Sequence, residues 1–323
     1  MQATREYNSG EGALVTGATG LIGRALVRAL DGHVVATSRS GASALDGARK
    51  VVAWDTRSVL PSSVFEGVRS VFHLTGEPVA EGRWTAAKKE RIRSSRTDST
   101  RALVAAFEAL APAERPKVLV CASAVGIYGS RGDEVLTEDA PLADGFLAEV
   151  CRDWEAEAAR AEMLGVRVVS LRIGIVLSND GGAFPKMRVP FELGVGGALA
   201  KGTQWMPWIH LEDLIGLLRF AATTDSLSGP VNGSAPVPVT NADFTEALGH
   251  ALHRPTLFRA PRFALQLALG EVAGVVLASQ RVVPMRALDA GFEFAFPTID
   301  EALASLASKE RPAAVKDVPR RVT

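Results

Sequence analysis

The feature that most constrains this chain is a short apolar run followed by three glycines at a three-residue spacing. Ala13-Leu14-Val15 has the composition of a buried strand, and Gly17, Gly20 and Gly23 follow it just before a helical pattern. Gly17 permits a sharp turn, Gly20 leaves room for a pyrophosphate at the helix N-terminus, and Gly23 allows close helix–sheet packing. The spacing is G-x-x-G-x-x-G rather than G-x-G-x-x-G. Its position between a strand and a helix predicts a dinucleotide site.

The end of the second predicted strand indicates which dinucleotide is bound. An acidic residue that binds the ribose of NAD is expected there, roughly 20 residues after the glycines. Arg39 occupies this place between Ser38 and Ser40, and no Asp or Glu does. A guanidinium with neighbouring hydroxyls suits a 2′-phosphate. The sequence therefore favours NADP(H) over NAD(H), with a solvated arginine at a strand end as the alternative.

Later strand ends are predicted to reach the same cofactor. Asp55 could accept a hydrogen bond from the adenine amino group, or it could cap the following turn. Gly76, after the fourth strand, permits the backbone to approach the cofactor closely. The predicted cofactor-binding residues are Gly17, Thr19, Gly20, Leu21, Ile22, Gly23, Ser38, Arg39, Asp55, Leu74, Thr75, Gly76, Glu77 and Ser123.

Apolar strand patterns alternate with helical patterns through the first half of the chain. Predicted strands at 33–39, 50–54, 68–74, 116–122 and 166–173 are joined by predicted helices at 21–30, 84–110 and 146–164. Continuously apolar strands with helical connections indicate a parallel sheet covered on both faces. We predict an α/β doubly wound Rossmann fold, with an NADP(H)-binding domain at 12–175 to which later segments return. Residues 176–305 are predicted to form a smaller C-terminal substrate and lid region, and 306–323 a mobile tail.

Three residues are candidates for catalysis. Ser123 and Tyr128 follow the fifth strand, and ligands of doubly wound sheets bind at the carboxyl ends of the strands. Ser123 could bind a substrate carbonyl or cap a turn. Tyr128 could transfer a proton or be a buried tyrosine with a satisfied hydroxyl. Lys186 could bind an anionic substrate or the nicotinamide ribose, or it could be a surface lysine.

Several sequence segments carry a family resemblance. They are T-G-A-T-G-L-I-G at 16–23, H-L-T-G-E-P at 73–78, S-A-V-G-I-Y-G at 123–129, G-G-A-F-P-K-M at 181–187 and W-I-H-L-E-D at 208–213. Together they resemble the atypical extended short-chain dehydrogenases/reductases. More narrowly, they resemble the sugar-epimerase-like family of human SDR39U1-type proteins and bacterial relatives labelled cell-division-inhibitor-like. This resemblance implies a Rossmann domain that binds NADP(H), with a small C-terminal module closing over a substrate pocket.

The chain departs from that superfamily at its catalytic motif. The usual Tyr-x-x-x-Lys lowers the pKa of the phenol, so that it can pass a proton as hydride moves. Neither Tyr7 nor Tyr128, the two tyrosines of the chain, has a lysine four residues later. On the helix where the motif is expected, Phe146 and Val150 stand instead, and Glu149 beside them could face the crevice or solvent. Any redox chemistry must recruit other groups.

Composition argues against several classes of partner. The 36 basic and 36 acidic side chains give zero formal net charge, which offers no support for nucleic acid or a membrane as partner. No apolar run reaches the roughly 20 residues that a membrane span requires. The two cysteines, Cys121 and Cys151, fit a reducing cytoplasm rather than a disulfide scaffold. His250 and His253 lack partners at metal-ligand spacing, so no metal site is predicted.

The sequence therefore predicts a cytoplasmic, NADP(H)-dependent oxidoreductase or epimerase-like enzyme that acts on a small molecule. An apolar pattern at 262–277 predicts one helix that could support a homodimer. The alternative is a Rossmann protein that senses NADP(H) and has lost turnover, because the usual catalytic motif is absent.

Overall fold

A computed structural model describes residues 12–30, 32–41 and 44–307. The predictions for Tyr7 and for the tail beyond residue 307 lie outside this part of the chain. The strands are β1 Gly12–Thr16, β2 Val34–Ser38, β3 Lys50–Ala53, β4 Val68–His73, β5 Val118–Ala124, β6 Val135–Leu136, β7 Arg167–Ile173, β8 Ile175–Leu177, β9 Gly197–Leu199, β10 Trp205–Met206, β11 Trp208–His210, β12 Gly229–Gly233, β13 Val239–Thr240, β14 Phe258–Ala260 and β15 Arg281–Val282. The helices are α1 Leu21–Ala29, α2 Ala86–Glu108, α3 Phe146–Ala159, α4 Phe184–Glu192, α5 Leu211–Thr223, α6 Asn241–Leu252, α7 Arg262–Leu269, α8 Val272–Val276, α9 Met285–Asp289 and α10 Ile299–Ala307. Each helix in the described ranges is too short or too polar to cross a membrane.

Seven strands form the central sheet in the order β12-β7-β5-β4-β1-β2-β3, and every neighbouring pair is parallel. Every residue of β1 and β2 is buried, as continuously apolar strands between two helical layers require. Helices α1 and α5 pack on one face in a core that includes Val15, and α2 and α3 pack on the other in a core that includes Leu14. The predicted doubly wound α/β fold is confirmed.

The direction of strand addition changes at β1, and this change positions the site. Strands β2 and β3 lie on one side of β1, whereas β4, β5, β7 and β12 lie on the other. The connections that follow β1 and β4 therefore diverge above the carboxyl edge of the sheet and leave a crevice between them. The glycine turn and the segment after β4 border this crevice.

The chain beyond β7 builds a smaller module and also returns to the central sheet. Strand β12 completes the sheet, while α4, α6 and α10 enclose a separate core around Phe184, Trp208 and Phe244. Strand β12 lies beyond residue 175 and still belongs to the central sheet. The domain boundary at residue 175 stays a prediction.

The apolar segment 262–277 forms two helices, and the prediction of one helix is wrong. Helix α7 ends at Leu269, and Gly270 has a φ angle of 59° before α8 begins at Val272. Glycine adopts this left-handed conformation without the cost of a Cβ, so it ends the helix. No residue of α7 is buried.

A buried hydrogen-bonded chain joins the carboxyl ends of β1 and β4. The Thr75 hydroxyl donates to the Thr16 hydroxyl at 3.1 Å, and Thr16 Oγ1 lies 2.7 Å from Nδ1 of His73. Nε2 of His73 lies 3.1 Å from the Ser99 hydroxyl, which itself donates to the Ser95 carbonyl at 2.8 Å. Each donor has an acceptor when the imidazole is neutral, with its proton on Nε2 and its lone pair on Nδ1.

We expect acid to destabilise the fold because two buried histidines must remain neutral. Burial lowers the pKa of His73 to about 3 and that of His210 to about 4, whereas the ordinary value is about 6.5. The free energy of unfolding is unaffected by protonation of these histidines above pH about 6.5. It falls as the pH drops towards their pKa values in the folded protein, because the unfolded chain binds protons first. At about pH 5 the loss should be roughly 2 kcal/mol of unfolding free energy for each histidine.

The measurement is urea unfolding across neutral and mildly acid pH for the wild-type chain, His210→Gln and the exposed control His253→Gln. The His210 substitution should flatten the fall in stability, and the control should not. Asp213 partly opposes this loss of stability in acid in all three proteins. Burial raises its pKa to about 6, and hydrogen bonds from two backbone amides only partly offset that shift. An unchanged slope in His210→Gln would refute the assignment.

Candidate functional site

The turn between β1 and α1 needs glycine at two positions for its own packing. Gly17 has a φ angle of 67°, and a Cβ there would lie 2.6 Å from the carbonyl oxygen of Leu74. A Cβ on Gly23 would lie 2.3 Å from the carbonyl oxygen of Gly17. Both distances are far below van der Waals contact, so glycine alone lets β1, α1 and the segment after β4 approach this closely.

The surroundings of Gly20 are less crowded than those of Gly17 and Gly23. It precedes α1 with extended backbone angles, and the nearest atom to a Cβ there would be the Gly17 carbonyl oxygen at 3.3 Å. No side chain caps α1, and its first turn contains no acidic residue. The first backbone amides of the helix therefore keep their donors for a ligand, and the helix dipole favours an anion at this end.

A cleft of about 270 Å³ lies in front of this helix end. Its walls come from the turn after β1 and from the ends of β2, β3 and β4. The lining residues are Gly17, Thr19, Gly20, Thr37, Ser38, Arg39, Trp54, Thr56, Leu74, Thr75, Gly76, Glu77, Pro78 and Ser95. The structure thus brings most of the predicted cofactor residues together in one cleft. Leu21, Ile22, Gly23, Asp55 and Ser123 are the predicted residues outside its lining.

Sequence reasoning missed five lining residues, namely Thr37, Trp54, Thr56, Pro78 and Ser95. Trp54 and Thr56 flank Asp55 after β3, so the rule that ligands meet strand ends could have indicated them. Ser95 comes from the middle of α2, and no local pattern in the sequence places that helix face against the cleft.

The Ser38–Arg39 pair ends β2 at the rim of the cleft. Arg39 is exposed, and among the described residues no carboxylate pairs with it. The Ser38 hydroxyl accepts a hydrogen bond from the amide of Gly41 at 3.0 Å and so stabilises the turn that presents Arg39. A guanidinium with no carboxylate partner in the described part of the chain can receive a dianionic group.

Asp55 organises its own turn. Its Oδ1 accepts hydrogen bonds from the amides of Arg57 and Ser58 and from the Ser58 hydroxyl, at 2.7–2.9 Å. These bonds, led by the one from the Ser58 amide, lower the pKa of Asp55 to about 2. The geometry matches the capping alternative, and a contact with adenine stays a prediction.

Cationic side chains of α2 hold the segment after β4 in place. The Arg96 guanidinium donates to the Glu77 carbonyl at 3.1 Å, and a Cβ on Gly76 would lie 3.2 Å from it. Lys88 donates to Glu77 Oε1 at 2.8 Å, and this hydrogen bond lowers the pKa of the Glu77 carboxyl. The glycine and the ion pair hold this wall of the cleft against α2.

Ser123 points into the core. Its hydroxyl donates to Glu155 Oε1 on α3 at 2.6 Å, and Arg172 on β7 binds both oxygens of that carboxylate at 2.9 and 2.8 Å. Burial opposes the charge on Arg172, but the hydrogen bonds and charge of Glu155 outweigh it and raise the pKa of the guanidinium. The Ser123 proton is therefore already committed to a buried ion pair.

Tyr128 belongs to the same buried network. It is fully buried, donates to Asn232 Oδ1 at 2.7 Å and accepts from Arg172 at 2.9 Å. Burial raises the pKa of the phenol, although Arg172 acts in the opposite direction. This geometry is that of a buried tyrosine with a satisfied hydroxyl, and it does not bring the phenol to the cleft lining.

Helix α3 presents apolar groups where the superfamily motif is expected. Phe146 packs edge-on against Trp84 with ring centroids 5.4 Å apart, and Val150 is buried. Glu149 faces the surface, where it pairs with Arg93 at 3.2 Å. Neither motif position offers a proton donor.

Lys186 lies on α4, outside the lining of the cleft. Its ammonium is 4.0 Å from Glu81 of the segment after β4, and its side chain is 70% exposed. The preceding Gly181–Gly182 turn lies against Leu21, since a Cβ on Gly182 would come within 3.0 Å of that side chain. Among the three predicted catalytic residues, Lys186 has the side chain that a ligand can reach.

Other chemistry has weaker support. No group of three or more potential metal ligands occurs within the described ranges. Cys121 and Cys151 are buried thiols, and burial raises the pKa of both, that of Cys151 to about 11.

A cavity of about 540 Å³ lies at the opposite edge of the sheet, beside Val68 and Lys117. Its position at the amino ends of the strands separates it from the glycine turn.

The glycine turn yields a stability prediction. Gly23→Ala should lower the free energy of unfolding by about 1–3 kcal/mol because its Cβ would overlap the Gly17 carbonyl. Gly20→Ala serves as the matched control and should lose less than about 1 kcal/mol, because its Cβ would meet a single backbone oxygen, at 3.3 Å. Urea unfolding measures both variants, and equal losses would contradict this division of roles.

Comparisons with known proteins agree with this geometry. Residues 13–232 match the model of the NAD dependent epimerase/dehydratase family, and residues 260–306 match a domain of unknown function, DUF1731. The epimerase family protein SDR39U1 homolog, chloroplastic, of Arabidopsis thaliana is 40% identical over 90% of this chain and 85% of its own length.

Two solved structures are also similar. The human epimerase family protein SDR39U1, solved with NADPH, has a TM-score of 0.82 and 32% identity, covering 92% of this chain and 99% of that one. A nucleoside-diphosphate sugar epimerase from Corynebacterium glutamicum has a TM-score of 0.74 and 34% identity, covering 92% of this chain and 58% of that one. This chain belongs to the NAD dependent epimerase/dehydratase family.

Proposed function

We propose that this chain is an NADP(H)-dependent oxidoreductase or epimerase-like enzyme that acts on a small molecule. The observation that carries the cofactor choice is Arg39, an exposed cation without a carboxylate partner in the described chain, at the end of β2. The NADPH in the human relative supports the same choice.

The residues of the cleft fit this dinucleotide. Gly20 lines the cleft without a side chain, and the amides at the start of α1, which no described side chain caps, suit a pyrophosphate. Arg39 and Ser38 would hold the 2′-phosphate, and Trp54 and Thr56 would border the adenine end. In this proposal NADPH supplies hydride when bound, and the protein supplies orientation and charge.

Substrate contact is assigned to Lys186. Because the hydroxyls of Ser123 and Tyr128 already donate to buried acceptors, neither is a free donor for an oxyanion. Lys186 can turn from Glu81 towards a carbonyl or an anionic group, since its side chain is largely exposed. An ammonium at this place would stabilise negative charge developing on a substrate oxygen.

The cofactor prediction concerns Arg39. Calorimetric titration should show tighter binding of NADPH than of NADH, and Arg39→Asp should remove most of that difference. A charge-assisted hydrogen bond to phosphate contributes about 1.5–3 kcal/mol, so the loss should be tenfold or more.

Two further variants control this result. Lys50→Asp makes the same type of charge change at the amino end of β3 and should bind both cofactors as the wild type does. Gly20→Val should lose NADPH affinity while it remains folded by circular dichroism. Equal NADPH and NADH affinities in the wild type would overturn the assignment of Arg39.

The catalytic prediction separates Lys186 from Tyr128. With a panel of small aldehydes, quinones and nucleotide sugars, Lys186→Gln should lower turnover of an accepted substrate by roughly tenfold to a thousandfold, with NADPH affinity nearly unchanged. Tyr128→Phe should instead lower the free energy of unfolding by about 1–3 kcal/mol, because Asn232 and Arg172 lose a buried partner, and it should leave turnover of the folded protein close to wild type.

The competing function is an NADP(H) sensor without turnover. The apolar positions Phe146 and Val150 on α3 favour it. If no panel member oxidises bound NADPH while protein pull-downs change with NADPH occupancy, the sensor replaces the enzyme.

A further inference from the structure

One stretch of the C-terminal module carries charge of a single sign. Residues 253–270 include Arg254, Arg259 and Arg262 and no aspartate or glutamate. All three arginines are exposed, and within the described ranges none has a carboxylate partner. The zero net charge of the whole chain therefore hides a local excess of positive charge.

Large apolar side chains project from the same stretch. The exposed fractions are 86% for Leu257, 56% for Phe258, 71% for Phe263 and 77% for Leu267. Phe263 and Leu267 are four residues apart on α7 and so lie on one helix face. Phe258 begins β14, which ends two residues before α7. This stretch of chain thus presents both apolar and cationic groups to solvent.

A cavity of about 770 Å³ opens beside this stretch. Lys201, Arg259 and Arg262 contribute cations to its lining. Hydroxyl groups in the lining come from Ser130, Thr203 and Ser279. Its one acidic residue, Asp133, accepts a hydrogen bond from the Trp205 indole at 2.9 Å. The Ser279 hydroxyl already donates to the Gly132 carbonyl at 2.7 Å, so the cavity offers its three cations and the hydroxyls of Ser130 and Thr203 to a phosphate group.

We propose that residues 253–270 and Lys201, here called the basic apolar surface, dock this protein on an anionic phospholipid membrane. Leu257, Phe258, Phe263 and Leu267 enter the boundary between headgroups and acyl chains, as the apolar face of an interfacial helix does. The arginines and Lys201 attract the negative surface and contact lipid phosphates. The attachment is peripheral and needs no spanning helix.

Charge decides between a membrane and a second copy of this chain. A two-fold interface brings the same patch of both subunits together, so it would gather six arginines, Arg254, Arg259 and Arg262 from each subunit, in one interface. Like charges in contact oppose association, and the surface contains no carboxylate to compensate. Anionic lipid supplies the complementary charge, and its fluid phase accepts projecting side chains without a matching groove.

Vesicle flotation tests the proposal with phosphatidylcholine vesicles, either alone or mixed with phosphatidylglycerol. We expect the full chain to float with the mixed vesicles only, and added salt should weaken this binding. Arg259→Gln/Arg262→Gln should lower the partition coefficient by about tenfold or more. Phe263→Gln/Leu267→Gln should lower it by at least about tenfold, through lost apolar burial.

Matched controls lie elsewhere on the molecule. Lys50→Gln/Lys117→Gln removes two exposed cations at the amino ends of strands, and Met163→Gln removes an apolar side chain that is 81% exposed. Both controls should bind vesicles as the wild type does. All variants should keep the wild-type melting temperature and NADPH affinity, so vesicle binding is independent of the proposed cofactor function.

Three results would overturn the proposal. The first is equal binding to neutral and anionic vesicles, and the second is unchanged binding in both surface variants. The third is a dimer, seen by sedimentation, that Phe263→Gln/Leu267→Gln dissociates while the wild type ignores vesicles. That last result would assign the surface to self-association.

Discussion

The close contact between the β1–α1 turn and the segment after β4 is the constraint on which the rest of the site depends. Hypothetical Cβ atoms on Gly17 and Gly23 fall 2.6 and 2.3 Å from backbone oxygens, so a side chain at either position would separate β1, α1 and β4. The strand order changes at this point, and the cleft exists because the two connections diverge there. The buried chain from Thr75 through Thr16 to His73 ties the same two strand ends together. The same close contact therefore determines both how β1, α1 and β4 pack and where the cleft lies.

A second constraint is the buried ion pair between Arg172 and Glu155. Taking two charges out of water is costly, and removing one partner leaves the other uncompensated. The pair accepts a hydrogen bond from the Ser123 hydroxyl and donates one to the Tyr128 hydroxyl, which itself donates to the Asn232 amide oxygen. Two of the residues predicted as catalytic, Ser123 and Tyr128, thus take part in contacts that join α3, β5, β7 and β12.

In the C-terminal module the local charge differs from the net charge of the whole chain. Equal numbers of acidic and basic residues predict no attraction to anionic surfaces, yet 18 consecutive residues, 253–270, carry arginines without acids. The turn at Gly270 separates α7 from α8 and leaves the apolar face of α7 exposed. Exposed apolar groups beside unpaired cations are a property of the folded surface rather than of the composition.

The sequence by itself determined the doubly wound fold, the glycine turn and Arg39 at the end of β2, because strand periodicity, glycine spacing and strand ends are local patterns. It also determined that Tyr-x-x-x-Lys is absent. Only the tertiary structure decided that Ser95 of α2 lines the cleft, that Ser123 and Tyr128 turn into the core, and that the side chain of Lys186 is exposed. Those outcomes depend on contacts between residues far apart in the chain, such as Ser123 with Glu155 and Tyr128 with Asn232. The energy of a buried charge, which selects such partners, depends on three-dimensional surroundings that no local pattern encodes.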